Sequence, residues 1–350
     1  MGRGPHKDMR ARLDHDFEQG FCTTPQSTSD ERRLKRARQA GRLISPAPHL
    51  FVQPDPWNEL RPNVQHRYVV RSLARLHPNW IFSHVSAAVM HGLYVSYTLI
   101  NQVHILTDRH QNSASNAFVR RHKVTAADFT IVDDVRATTL ARTAFDCLRS
   151  YDFRAGLAVA DSASHQLSLS GDELGYSFTT FSTRNLGWRR ACKIAGFADG
   201  RSENGGESVA RAVMIERGYR IPNLQVVVND SVDGNAYRVD FCWQIDDRTR
   251  VLGELDGREK YRNPHMTQGR DVNDVLADER LRESRVSVQG DRIMRFSYAD
   301  VIDTRRFCKI LDAYHVPKGY AVPDVASPDD PINRAAIQRR AYGRSGQGPW

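Results

Sequence analysis

A chain of 350 residues, 40% of them hydrophobic, can form two domains, each with its own core, plus extensions. Its apolar runs are well short of the ~20 residues that a membrane span requires, and the polar start Met1-Gly2-Arg3-Gly4-Pro5-His6-Lys7 has no apolar core of a secretory signal. The formal net charge of +9 favours an anionic partner such as nucleic acid, although charge alone is equally compatible with a solvated basic surface.

Residues 1–30 lack hydrophobic periodicity and include Thr23-Thr24-Pro25-Gln26-Ser27-Thr28-Ser29, so they read as a flexible leader. Ser29-Asp30-Glu31 then opens a short basic helix that runs to Ala40 and stops at Gly41. The stretch from Arg42 to Val52, passing through Pro46-Ala47-Pro48, predicts a two-stranded ribbon. Helix and ribbon together, residues 31–52, make a partial winged helix in which Arg36 and Arg38 would meet DNA; a basic helix covering the next domain is the competing reading.

The region up to residue 200 predicts a mixed α/β unit. Helical periodicity marks Tyr68 to Leu76, Trp80 to Gly92, Thr139 to Leu148, Ala155 to Ala163 and Trp188 to Ala198. Strands are expected at Gln102 to Thr107, Phe118 to His122 and Phe129 to Val132. His84 and His91 do not share a metal-binding helix face and read as packing or surface histidines. Cys22, Cys147, Cys192, Cys242 and Cys308 are scattered without a Cys-x-x-Cys or a histidine-rich partner, which argues against a disulfide framework or a zinc site and for a reducing cytoplasm.

Residues 201–316 form the second expected domain. A helix from Glu207 to Arg217 precedes strands at Leu224 to Val228, Tyr237 to Trp243 and Val251 to Gly257. A helix at Arg270 to Glu283, a strand at Ile293 to Phe296 and a helix at Tyr298 to Leu311 complete it. This order predicts an α/β (α+β) layer fold with a mixed sheet flanked by helices. Residues 317–350, with Pro323, Pro328, Pro331 and a basic end, read as a flexible tail.

The chemistry is concentrated in Gly253-Glu254-Leu255-Asp256-Gly257. Strand alternation puts Glu254 and Asp256 on one face, and a hairpin loop at Asp246 to Thr249 would bring Asp240 across from them. Carboxylates gathered in this way repel unless a cation lies among them, and oxygen-only donors suit a hard ion such as Mg²⁺. The alternative is a structural network with Arg238, Arg258 or Lys260, but unpaired carboxylates in an otherwise apolar strand are costly to bury. Glu207 in a first helical turn also favours the helix dipole.

These residues, with Arg238-Val239-Asp240-Phe241, Glu279-Arg280-Leu281-Arg282-Glu283 and Arg295-Phe296-Ser297-Tyr298-Ala299-Asp300, resemble the PD-(D/E)XK nuclease superfamily. More narrowly, they resemble the restriction-endonuclease-like domain of unknown function related to the very-short-patch-repair (Vsr) endonucleases. Upstream, Arg42-Leu43 to Val52 and Ser83-His84-Val85-Ser86-Ala87-Ala88-Val89-Met90-His91-Gly92-Leu93 look like an AbiEi-type antitoxin or regulator region. The resemblance implies a metal-dependent DNA endonuclease or nickase using Mg²⁺ (or Mn²⁺), with Asp240 and Glu254 as ligands and Glu207 as a further ligand or organiser. The lysine expected two positions after Glu254 is replaced by Asp256, so Lys260 or Arg258 would supply the positive charge, and Arg258 and Arg270 would contact nucleic acid. The alternatives are an antitoxin-like DNA-binding transcriptional regulator that keeps the nuclease fold as a scaffold, or a module that binds a toxin or other protein partner.

Overall fold

The computed structural model describes residues 4–108, 116–124, 128–181, 186–229, 234, 236–256 and 290–319. They divide into two compact units, residues 4–150 with 177–181, and residues 151–176 with 186–319.

The first unit contains, in order, α1 (Gly4–Glu18), α2 (Thr28–Gln39), β1 (Ile44–Ala47), β2 (Leu50–Val52), α3 (Pro54–Glu59), α4 (Pro62–Leu76), β3 (Ile81–Phe82), α5 (His84–Met90), β4 (Val103–Asp108), β5 (Val119–Val124), β6 (Phe129–Val132), β7 (Val135–Thr138) and α6 (Leu140–Ser150). The expectation of a flexible leader is corrected here. Met9, Leu13 and Phe17 recur at helical spacing along α1, and Leu13 packs with Leu34, Ala37, Leu43 and Phe51. The stripe is only one residue wide inside a charged segment, too narrow to stand out as periodicity. The helix α2 starts where the Ser27 side chain accepts a hydrogen bond from the Asp30 N–H, and it leads into the antiparallel β1–β2 ribbon.

A five-stranded sheet in the order β5-β4-β3-β7-β6 makes the rest of this unit. Strands β4 and β5 are parallel, as are β3 and β7, and the other pairs are antiparallel. The helix expected from Trp80 begins only at His84, because Ile81 and Phe82 are used to pair with Leu106 and Ile105. Asp133 and Asp134, both at positive φ, turn β6 back into β7, a strand additional to those expected.

The second unit comprises α7 (Phe153–Leu167), α8 (Gly171–Ser177), α9 (Trp188–Ala195), α10 (Gly205–Glu216), β8 (Asn223–Asn229), β9 (Ala236–Gln244), β10 (Arg250–Asp256), β11 (Arg292–Ser297), α11 (Tyr298–Ile302) and α12 (Thr304–Ala313). The boundary therefore falls at 150/151 rather than at 200/201. The reason is polar: Asp161 of α7, fully buried, accepts hydrogen bonds from the Arg211 guanidinium of α10 and from the Asp199 N–H. Arg154 adds an ion pair to Glu216 at 2.7 Å.

The sheet of this unit has the order β11-β10-β9-β8. Its first three strands in sequence are antiparallel, and β11 runs parallel to β10. One face packs Leu224, Phe241, Trp243, Val251, Met294 and Phe296 against Ala210, Val213 and Met214 of α10 and Phe307 and Leu311 of α12. This is the mixed α/β class expected from the sequence. Trp243 is core, with its indole N–H donated to the Arg220 carbonyl at 2.8 Å. The single helix expected from Tyr298 is divided at Asp303, which ends α11 and caps α12 by accepting from the Arg306 N–H. The helix expected at Arg270 to Glu283 and the tail beyond residue 319 lie outside the described residues. Among the described residues no helix is long and apolar enough to cross a membrane.

Candidate functional site

The site is built on the β9–β10 hairpin. Its turn is closed by Asp246, whose carboxylate accepts from the Arg248 and Thr249 N–H groups. Pairing then runs from Arg250↔Gln244 to Gly253↔Phe241, so the next position along faces Glu254 with Asp240. At that point a side chain replaces the backbone ladder: the Asp240 carboxylate accepts the Leu255 N–H at 2.9 Å.

The irregularity extends to β8. Val239 and Phe241, two positions apart, lie in different apolar clusters on opposite faces of the sheet, and so do Val226 and Leu224 on the paired strand. Alternation thus resets at Asp240 and at the residue across from it, Gln225, which has a φ of +53°. A left-handed residue in a strand reverses which face the following side chains take. Backbone irregularities of this kind are concentrated at functional sites, where they re-aim a side chain.

Glu254 and Asp256 share the face of β10 expected from their spacing, and Arg295 lies beside them. Parallel pairing sets Glu254 next to Arg295. The guanidinium is 3.2 Å from Glu254 and 3.6 Å from Asp256. Among the described residues, a basic partner for both carboxylates comes from β11. Lys260, Arg258 and Arg270, the expected basic residues, lie outside the described residues.

Glu207 approaches from the first turn of α10. Asn204 caps this helix by accepting the Glu207 N–H at 3.0 Å, and its amide donates back to the Glu207 carboxylate. That carboxylate also accepts the Glu203 N–H at 2.8 Å and the Gln225 amide at 3.2 Å. Gly206 permits the close approach of this helix to β10: a Cβ there would meet Leu255 Cδ2 at 2.9 Å. Glu207 is only 3% exposed, and burial, with the negative charges of Asp240 and Glu203, pushes its carboxyl up to about 7.

The donors expected for Mg²⁺ are all oxygens, as a hard ion prefers, and the mutual repulsion of Glu207 and Asp240 is what a cation would relieve. The described carboxylates do not form a group of three with donor atoms within 4.8 Å of one another, but Mg²⁺ commonly takes only one or two protein carboxylates and keeps waters. The residue set fits such an ion in chemistry and charge. Among the described residues the three-donor group within that distance is His84, His104 and His122. His91, the expected companion of His84, instead bonds the Thr138 carbonyl at 2.8 Å. Arg36 and Arg38 are exposed on α2, in the other unit.

Sequence reasoning missed Arg295 as a site residue and Gln225 altogether. The signal for Arg295 was a lone arginine within the apolar run Ile293 to Phe296; for Gln225 there was none.

No family model matches the chain, and no solved structure matches it. Part of the chain is similar to two uncharacterized proteins of Mycobacterium tuberculosis, MT2308 of strain CDC 1551 / Oshkosh and Rv2248 of strain ATCC 25618 / H37Rv. Each is 32% identical over 128 residues, which is 37% of this chain and 45% of the relative. The chain thus spans less than half the length of these curated relatives.

Proposed function

We propose that the protein is a metal-dependent DNA endonuclease or nickase, with phosphodiester hydrolysis in the second unit and DNA binding by α2 in the first. The observation that carries this reading is the hairpin register, which sets Asp240 across from the Glu254–Leu255 step, with Glu207 near enough for its proton affinity to rise under the charge of Asp240. The mixed sheet flanked by helices also fits the restriction-endonuclease-like fold that the sequence resembles.

Asp240 and Glu254 would hold Mg²⁺ or Mn²⁺, with Glu207 as an added ligand or organiser. Such an ion would supply Lewis-acid polarisation of the scissile phosphate and neutralise developing charge. Glu207, titrating near neutral pH, is poised to hold or release a proton at its carboxyl. Arg295 holds Glu254 and Asp256 in place and offers a planar donor that matches phosphate. All five cysteines are free, in keeping with a reducing cytoplasm as the compartment.

A second reading is favoured by one observation: Arg295 already pairs with both Glu254 and Asp256, as in a structural network. That reading is a DNA-binding transcriptional regulator, with the exposed Arg36 and Arg38 of α2 as phosphate contacts.

Incubation of supercoiled plasmid with Mg²⁺, Mn²⁺ or EDTA, beside Asp240→Asn and Glu254→Gln variants, separates the two. Metal-dependent nicking lost in both variants supports the nuclease. Absence of nicking, together with a salt-sensitive gel shift that weakens in Arg36→Ala or Arg38→Ala, supports the regulator.

A further inference from the structure

The first unit holds a second group of chemically capable side chains. His84 opens α5, His104 lies on β4 and His122 on β5. The parallel register pairs His104 with Arg120 and Leu106 with His122, which puts the two strand histidines diagonally on one face of the sheet. Donor nitrogens of the three rings lie within 4.8 Å of one another. His104 Nδ1 is 3.0 Å from His122 Nε2, and the ring of His84 stacks on that of His122 with centroids 3.7 Å apart. His84 and His104 are buried, and His122 is half-buried, so the group reaches solvent at one corner.

Two features indicate that this is a built cluster. His84 has a φ of +49°, a conformation non-glycine residues keep only where their surroundings hold them, and its Nδ1 is 3.1 Å from Ser83 Oγ. Ser86 Oγ accepts the His104 N–H at 2.9 Å and also bonds His66. Burial pushes His84 and His104 well below the usual histidine range and His122 down to about 3.

We propose that His84, His104 and His122 bind a first-row divalent transition-metal ion, Zn²⁺ before others. Neutral imidazole suits Zn²⁺ and is a poor match for Mg²⁺, which separates this site from the acidic one. Three histidines leave the fourth position of a tetrahedral ion to water or a small ligand, entering beside half-buried His122. The rings of His84 and His122 are stacked within 16° of parallel, so one ring would have to turn for both to ligate one ion. Arg120, Arg142 and Arg149 would oppose a dication; of these, Arg142 and Arg149 are bonded to the fully buried Asp146, whose negative charge is felt at His122.

The test is equilibrium dialysis of the 350-residue chain against Zn²⁺, with Co²⁺ absorption in the visible as a geometric probe. One tightly held Zn²⁺ per chain and the strong visible bands of four-coordinate Co²⁺ are expected. The affinity should fall at least ~100-fold in His104→Ala and in His122→Ala. His91→Ala should bind as the parent does. His122→Asn, at the half-buried position, serves as the ligand-deleted form if a buried variant fails to fold. No stoichiometric Zn²⁺ on the parent chain, or undiminished binding by folded His122 variants, would overturn the proposal.

Discussion

Replacing Glu207 with glutamine should stabilise the second unit at alkaline pH while removing a residue from its acidic site. The Glu207 carboxyl rises from 4.5 to about 7 on folding, a preference for the neutral form worth about 3 kcal/mol. Because the folded state holds this proton more tightly than the unfolded chain, the contribution is fully present below about pH 4.5 and is lost as pH rises through about 7. Glutamine is neutral throughout and escapes that loss. It also gives up part of the acceptor set that serves the Glu203 N–H, the Gln225 amide and the Asn204 amide, at a cost of about 1 kcal/mol. The variant should therefore be about 2 kcal/mol more stable than the parent at pH 8 and slightly less stable at pH 4.5. Native-state hydrogen exchange of β9 and β10 amides, corrected for intrinsic rates, reads the free energy of this unit separately from the other. A difference that does not vary with pH, or a variant less stable at pH 8, refutes the electrostatic account of Glu207.

Arg295→Met removes the cation shared by Glu254 and Asp256 and should cost about 1–2 kcal/mol at low salt, with the cost shrinking at about 1 M salt as the charges are screened. Urea unfolding at the two salt concentrations checks this, and an equal cost at both would count against the bridge. Arg211→Met strands the buried carboxylate of Asp161 and should destabilise by about 3–5 kcal/mol, most of it recovered when Asp161→Leu is added. A stable single variant in thermal melts would contradict that pairing. Leu13→Ala should cost about 2–4 kcal/mol in the first unit, since Leu13 is 5% exposed in a packed cluster. An unchanged exchange pattern around Leu34 and Phe51 would return α1 to the status of a loose leader.

The acidic strands were legible because alternation is a local signal: Val239, Phe241 and Trp243 mark one strand, and Glu254 and Asp256 stand out in the next. A hairpin needs few residues to close, so the meeting of Asp240 with the Leu255 backbone followed from the turn at Asp246. Arg295 was not legible as a partner, because parallel pairing joins strands that are distant in sequence and leaves no local spacing to read. The same reason hid the histidines, which come from a helix and two strands, whereas His84 and His91 drew notice only by lying on one segment. The unit boundary was misread because Asp161 and Arg211 look like ordinary surface charges of amphipathic helices until they are found buried against each other. In α1, three apolar residues among many charges were enough to seat a helix but too few to announce one.

The reset of the β8–β9 pair at Gln225 and Asp240 has a consequence for comparing sequences of such chains. A strand that changes phase midway carries two hydrophobic patterns offset by one, so alignment by apolar pattern slips a residue where the carboxylate sits. A relative whose strand keeps one phase throughout would show its apolar pattern slipped by one residue on one side of Asp240. The acid is best located from the far end of the hairpin, by counting back from the turn.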